Sequence, residues 1–204
     1  QTPEADEMKQ IPACSNIRIA SRTNQRIIMM NKGTNDKGFM VCMDCGAAMP
    51  GDDISVLDNI NRPYKSSYAR SRCRHSNAFN VNLGYDFITD MLVLEFKIDD
   101  KIIDAKRNDN PWLTRAAQSL AEALRLVASK KLDVEFTELV TGYRLRTGAD
   151  VSYVDIYLYD SLSSGAGYAV SVADIINDLL VEVKELLNSC NCGTACSKCL
   201  KHYR

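Results

Sequence analysis

The stretch CNCGTACSKC, residues 190 to 199, places four of the chain's eight cysteines within ten positions. In a reducing compartment, cysteines gathered in this way are metal thiolates more often than disulfides. The CxxC pair Cys196 and Cys199 can wrap around one ion, and Cys190 and Cys192 can complete four sulfurs at about 2.3 Å, which zinc accepts as a tetrahedron. We therefore predict a zinc site at this end of the chain.

Two other uses of these thiols stay open at this point. An exported fragment can pair them as disulfides, and an iron–sulfur cluster also takes four thiolates. His202 follows three residues after Cys199 and can replace one cysteine as a ligand, although we expect it on the surface or beside the ligands.

A second set of metal-binding residue types lies upstream. Cys42 and Cys45 form a CxxC followed by Gly46, as in zinc-ribbon knuckles, and Cys73 and His75 come after an intervening loop. Together they predict a Cys3His zinc site, with Cys14 as a competing ligand. The chain is thus expected to bind two zinc ions.

The net charge of −1 gives the chain no overall attraction for nucleic acid, so local clusters decide. One stretch, residues 62 to 75, carries five cations, no acid and two interleaved tyrosines. Cations bind phosphates and tyrosine rings can stack on bases, so this stretch predicts a nucleic-acid contact, against the alternative of a solvated loop. Its candidate residues are Arg62, Tyr64, Lys65, Tyr68, Arg70, Arg72 and Arg74.

The sequence pattern predicts strands in the first half of the chain. Residues 16 to 31 predict a hairpin that turns near residues 22 to 25, because apolar residues flank a polar centre. Residues 81 to 98 predict a strand pair whose second arm is almost entirely apolar, as in a buried strand.

The second half combines helices with strands. Asn108 to Pro111 is a helix start, and the following helix carries an apolar stripe. Residues 133 to 139, 142 to 146 and 152 to 160 read as strands, and residues 169 to 189 as one long helix that leads into Cys190. The two stripes are Leu113, Ala116, Ala117, Leu120, Leu124 and Val127, and then Val172, Ile176, Leu179, Leu180, Val183 and Leu187.

These elements predict an α+β fold: a mostly antiparallel sheet, two long packed helices and two zinc modules. We expect residues 1–80 to form an N-terminal hairpin with a zinc-ribbon-like module, and residues 81–204 to form an α+β domain ending in the four-cysteine site. Neither a signal-peptide pattern nor an apolar run of about 18 residues is present, so we expect a cytoplasmic protein without a membrane span.

Several features together resemble one family. The CMDCG knuckle, the TDMLVLEF strand, the ALRLVASKKLDVEFTEL segment, the LYDS turn with GAGY, and the closing cysteines are similar to the C-terminal zinc-binding domain of mitomycin-repair-factor-type superfamily 2 DNA helicases. That domain also occurs in phage-defence proteins, and the resemblance runs from about Phe39 to Arg204. It implies an accessory domain that braces a helicase motor and helps to guide single-stranded or forked DNA.

A motor is not expected within these residues. Gly33 and Gly38 have the spacing of a phosphate-binding loop, but Phe39 stands where that loop needs lysine. The resemblance therefore implies motor domains outside this chain or in a partner subunit, in a repair or a defence protein.

Other chemistry competes with this interpretation. Asp86 or Asp90, with Glu95 and Lys97, can be arranged as a Mg²⁺-dependent nuclease, although alternation along a strand puts Asp90 and Glu95 on opposite faces. Ser163 and Ser164 precede a helix N-terminus that can bind a DNA phosphate, or form a packing turn in which Asp160 accepts hydrogen bonds. A scaffold that docks a partner protein also stays open.

Overall fold

The chain folds into two compact units. The computed structural model describes residues 7–12, 14–58, 60, 73–99, 111–147, 151–193, 195–196 and 199–201. Unit 1 comprises residues 1–27 and 87–204, and unit 2 comprises residues 28–86. The domain division expected at residue 80 stays a prediction, because compactness alone does not define a domain.

The centre of unit 1 is a five-stranded sheet in the order β1-β2-β6-β8-β7. The registered pairs β1 with β2, β6 with β8 and β7 with β8 are all antiparallel, so the predicted mostly antiparallel α+β fold is confirmed. The strands are β1 (Lys9–Ile11), β2 (Cys14–Asn31), β6 (Leu83–Ile98), β7 (Leu139–Thr147) and β8 (Ser152–Asp160). Strand β8 has the bounds that its sequence pattern predicts.

Helices cover one face of this sheet. Helix α1 (Pro111–Leu132) begins at the predicted proline and packs on β7, β8 and α3 (Ile176–Leu187). The predicted final long helix is two helices, because the chain leaves helical geometry at Ile175 (φ −106°, ψ 10°) after α2 (Tyr168–Asp174). None of the described helices combines the length and apolar character that a bilayer crossing requires.

The core of unit 1 lies between the helices and this face. Leu94 and Ile156 face each other across β6 and β8, and both are almost fully buried. Most stripe positions predicted from the sequence are buried: Leu113, Ala117, Leu124, Val127, Val172, Ile176, Leu179 and Val183. Ala116 and Leu187 are exposed, so their predicted places in the two buried stripes were wrong.

Three predictions about strands were wrong. Residues 16–31 are not a hairpin, because they lie within the single strand β2, and the hairpin is instead β1 with β2. Residues 81–98 are not a strand pair, because β6 occupies most of them as one strand. Residues 133–139 contain a short 3-10 helix, Phe136–Glu138, where a strand was expected.

Unit 2 contains a second, three-stranded sheet in the order β4-β3-β5. Both pairs are antiparallel, and the strands are β3 (Phe39–Cys42), β4 (Ala48–Pro50) and β5 (Ala78–Val81). A 3-10 helix, Ile54–Leu57, is capped by Asp53, whose carboxylate accepts the Ser55 N–H. The small core is Met40, Cys42, Cys45, Ala47 and Leu57, so two of the predicted zinc ligands are also core residues.

Candidate metal centres and their surroundings

The four C-terminal cysteines come together as the sequence predicts. Their sulfurs all lie within 4.8 Å of one another. The Sγ–Sγ distances are 3.3 Å for Cys190 and Cys192, 3.7 Å for Cys190 and Cys196, 3.6 Å for Cys192 and Cys199, and 3.7 Å for Cys196 and Cys199. A regular tetrahedron with zinc–sulfur bonds of about 2.3 Å has edges of about 3.8 Å. The cluster therefore fits one zinc ion with four thiolate ligands.

Local backbone structure holds these ligands at the end of α3. Asn188 caps the helix, donating its backbone N–H and its side-chain amide to the Lys184 carbonyl. Beyond the cap, the Cys196 carbonyl accepts the N–H groups of Cys199 and Lys201, which closes a tight turn. Leu200 packs against the core of unit 1, so the second half of the cluster is tied to the helices.

Two thiols of this cluster have very different pKa values. Backbone N–H groups of Cys196 and Leu200 lower the pKa of the Cys199 thiol to about 6. Hydrogen bonding to Cys190 and Cys199 raises the pKa of Cys192 to about 12. Of these two thiols, Cys199 therefore has the lower pKa, and a divalent cation bound among the four sulfurs would stabilise them as thiolates.

The upstream set also converges, in unit 2. Cys42, Cys45, Cys73 and His75 have one ligand atom each within 4.8 Å of the others. The Cys42 and Cys73 sulfurs are 3.8 Å apart, and the Cys45 sulfur is 3.5 Å from His75 Nδ1. With bonds of about 2.3 Å to sulfur and 2.0 to 2.1 Å to nitrogen, a tetrahedral edge between them is about 3.5 to 3.6 Å.

The knuckle around Cys42 explains why this site forms. Gly46 has φ +76°, a conformation that favours glycine, and its N–H donates to the Cys42 carbonyl while Cys42 N–H donates to the Ala47 carbonyl. Among the described residues, Cys14 belongs to neither cluster, so the competing ligand named in the sequence analysis is not part of this site.

The two knuckle thiols differ in acidity. Burial raises the pKa of Cys42, but hydrogen bonds from His75 and from the Cys45 and Asp44 backbone outweigh it and lower the pKa to about 7. Burial raises the pKa of Cys45, and the neighbouring sulfurs of Cys42 and Cys73 act in the same direction. Of the two knuckle thiols, Cys42 is thus more readily present as a thiolate.

Most of the basic stretch lies outside the described residues. This applies to Arg62, Tyr64, Lys65, Tyr68, Arg70 and Arg72, and also to His202 at the other end of the chain. Arg74 is described and exposed, and it lies between the two upstream ligands Cys73 and His75. The stretch therefore leads directly into the metal cluster.

Buried carboxylates fix the turn after β8. Asp160, fully buried, accepts the N–H groups of Ala166, Tyr168 and Ala169, which confirms it as a turn-fixing acceptor. Asp90 accepts the Gly167 N–H in the same way. These carboxylates already accept four backbone N–H groups of the turn, and phosphate binding at this helix start stays a prediction. Ser163 and Ser164 are exposed beside it, and a role for them stays a prediction.

The geometry gives no support to the nuclease alternative. Within the described part of the chain, Asp86, Asp90 and Glu95 do not form a cluster of the kind that holds a metal. Asp90 accepts the Asn24 and Gly167 N–H groups, and Lys97 and Asp86 are exposed. Glu95 is buried and already neutralised by guanidinium groups, as described next.

Sequence analysis missed a buried ion network on the sheet face opposite the helices. Glu95 and Asp155 lie directly opposite each other on β6 and β8. Arg146 donates to both carboxylates, Arg18 pairs with Glu95, and Arg144 pairs with Asp155. Hydrogen bonds to Asp155, more than those to Glu95, raise the pKa of Arg146 against the effect of burial. In the sequence, these residues appear only as charged positions that alternate with apolar ones along their strands. The sequence alone does not show how those strands are aligned, so it does not show that the charges meet.

The chain has an antiparallel α+β fold and two closed clusters of four ligands each. These features place it in the class of zinc-binding domains. Comparison with known proteins narrows the class: residues 120–200 match the family model described as the MrfA Zn-binding domain. The resemblance inferred from the sequence is thereby confirmed, and zinc is the cofactor of that family.

Two individual proteins are also similar to this chain. The chain is 36% identical over 194 residues, 88% of its length, to the Druantia protein DruE of Escherichia coli (strain UMEA 4076-1), of which it spans only 10%. It is similar in fold, with a TM-score of 0.50 and 14% identity, to the crystal structure of the DUF1998 helicase MrfA bound to DNA. That match covers 96% of this chain and 21% of the other.

Proposed function

We propose that this chain is a non-catalytic, zinc-stabilised accessory domain of a DNA helicase or of a helicase-associated repair or defence protein. It braces motor domains that lie outside these residues or in a partner subunit, and it contacts nucleic acid. The proposed ligands are the eight residues of the two clusters, with one zinc ion in each. We place the protein in the cytoplasm, where a reducing environment keeps such thiols available as ligands.

The observation that carries this proposal is that both clusters supply four protein ligands at tetrahedral spacing. A catalytic zinc keeps one position open for water, whereas a closed site leaves none for a reacting group. Zinc therefore supplies folding energy here, and the residues around it bind and orient the ion without taking part in a reaction.

The DNA contact is proposed to lie in the basic stretch, residues 62 to 75. Five cations without an acid form a favourable site for phosphates, and Cys73 and His75, at the end of the stretch, are ligands of the proposed upstream zinc site. The similar helicase is described as bound to DNA, which makes single-stranded or forked DNA the first substrate to test.

The test is the salt dependence of DNA binding by the zinc-loaded chain. Fluorescent single-stranded, forked and duplex oligonucleotides are titrated at several salt concentrations. Replacing Arg70, Arg72 and Arg74 with Glu should weaken binding and flatten the slope of log K against log[salt], since each lost phosphate contact reduces that slope by roughly 0.7 to 0.9. An unchanged slope would exclude the stretch as the DNA contact.

A matched control carries the same charge change elsewhere. Arg115, Lys130 and Lys184 are exposed on α1 and α3, and their triple replacement with Glu alters net charge equally. Binding by this control should keep the wild-type slope apart from a small general loss. If no oligonucleotide binds the wild-type chain, the protein-docking alternative replaces the DNA contact.

A further inference from the structure

We infer that the terminal cluster is a cysteine-oxidation site at which hydrogen peroxide converts the zinc thiolates to disulfides and releases the ion, while the upstream cluster resists. This inference rests on the proposed structural zinc in both clusters and adds a property that separates them.

The ligands of the two clusters differ in how deeply they are buried. In the upstream set, Cys42, Cys45 and His75 are 0%, 3% and 5% exposed, and the first two pack with Ala47 and Leu57 in the core of unit 2. Cys73 is partly exposed, but the two sulfurs with which it could form a disulfide are buried. Not one member of the terminal set is buried: Cys192 is exposed, and the other three are partly exposed. Oxidants act on accessible thiolates, so the difference in exposure becomes a difference in rate.

The terminal sulfurs are also close enough to react with one another. Peroxide accepts the attack of one thiolate, best exposed at Cys192, which gives a sulfenic acid and releases hydroxide. A second thiolate then attacks that sulfur, the S–O bond breaks, a second hydroxide leaves, and one disulfide forms. Cys190 is the nearest partner, with its sulfur 3.3 Å from that of Cys192. Two electrons pass from the two sulfurs to one peroxide.

Loss of two thiolates removes half of the ligands from the ion. A second peroxide oxidises Cys196 and Cys199, whose CxxC spacing and 3.7 Å sulfur separation suit a disulfide. We expect α3 to stay formed after this reaction, because it ends on its own cap at Asn188 before the cluster begins. Loss of the upstream ion would instead remove the support of core residues in unit 2.

The experiment uses the zinc-loaded chain and hydrogen peroxide alone. Released zinc is followed with a chromogenic chelator, and oxidised cysteines are mapped by alkylation and mass spectrometry. We expect one zinc per chain to be released at least about tenfold faster than the other, with early oxidation confined to residues 190–199. Reductant plus zinc should restore the starting state.

Three variants sharpen the result. Cys14→Ser removes a thiol outside both clusters and should leave the release unchanged. Cys45→Ser should retain the fast phase alone, and Cys192→Ser the slow phase alone. Equal rates at the two sites, or early oxidation of the upstream cysteines, would overturn the inference while leaving the structural role of zinc intact. A wild-type chain that folds with fewer than two zinc ions would overturn both.

Discussion

Replacing Arg146 with Met should destabilise unit 1 more than replacing Arg144 with Met. Arg146 makes three hydrogen bonds to two carboxylates, through Nε and Nη2 to Asp155 and through Nη2 to Glu95. The carboxylates are almost fully buried, with Asp155 and Glu95 side chains 1% and 8% exposed, and they lie directly opposite each other on neighbouring strands. Without Arg146, two like charges face each other with only one guanidinium each.

The magnitude follows from what is lost and what remains. Breaking a buried ion pair from one side costs about 3 to 5 kcal/mol. Two features reduce this cost: the Arg146 side chain is 37% exposed, and Arg18 and Arg144 still neutralise the acids. We therefore expect a loss at the low end, about 3 kcal/mol, for Arg146→Met. Arg144→Met, which removes one hydrogen bond to Asp155, should cost about 1 kcal/mol.

Urea unfolding of the zinc-loaded chain measures these losses. Far-ultraviolet circular dichroism reports on α1, α2 and α3, all of which belong to unit 1 with the network. The double variant with Asp155→Asn should lose at least about 1 kcal/mol less than the sum of its single variants, since removal of one acid relieves the repulsion. If Arg146→Met costs no more than Arg144→Met, the view of Arg146 as the bridge between two buried acids is wrong.

Other outcomes are expected for the turn and the zinc sites. Gly165→Ala should cost at least about 2 kcal/mol of stability, because φ is +74° and a Cβ would lie 2.4 Å from the Asp90 carboxyl carbon. Thermal melts measure this loss, with Gly193→Ala as the control, because a Cβ at Gly193 meets nothing within 4 Å. Metal analysis should find one zinc per chain instead of two for Cys192→Ser, with the upstream site still filled. Cys45→Ser should also lose one zinc, and hydrogen exchange should show opening confined to unit 2, where Cys45 is a core residue. Acidification should release both zinc ions, because protons compete with the metal for the thiolates. A chelator assay across a pH series measures the zinc released, and a metal content that does not change with pH would contradict thiolate ligation.

Much of the candidate site could be predicted because its signals are local. The CxC and CxxC spacings of the terminal cluster, and the CxxC of Cys42 and Cys45, bring sulfurs together locally. Cys73 and His75 join the upstream pair through the pairing of β3 with β5, and both clusters converge as predicted. The start of α1 at Pro111 and the bounds of β8 followed from equally local patterns. Such features need no knowledge of which strands are neighbours.

The remainder depends on long-range register. The polar run around Asn24 was interpreted as a hairpin turn, yet β2 continues through it. Asn24 does adopt φ +55°, but its N–H donates to Asp90 on β6, so the irregularity is accommodated within the sheet. The partnership of Arg146 with Glu95 and Asp155 likewise requires β6, β8 and β7 to be adjacent in one particular alignment.

The passage of the chain between its units has an evolutionary meaning. It leaves unit 1 after Ile27 on β2 and re-enters at Phe87 on β6, and these two strands are neighbours in the large sheet. Departure and return points on adjacent strands can be joined by a short reverse turn. The segment between the end of β2 at Asn31 and the start of β6 at Leu83 therefore has the form of a cassette, which a lineage can acquire, enlarge or discard while the large sheet keeps its strand order.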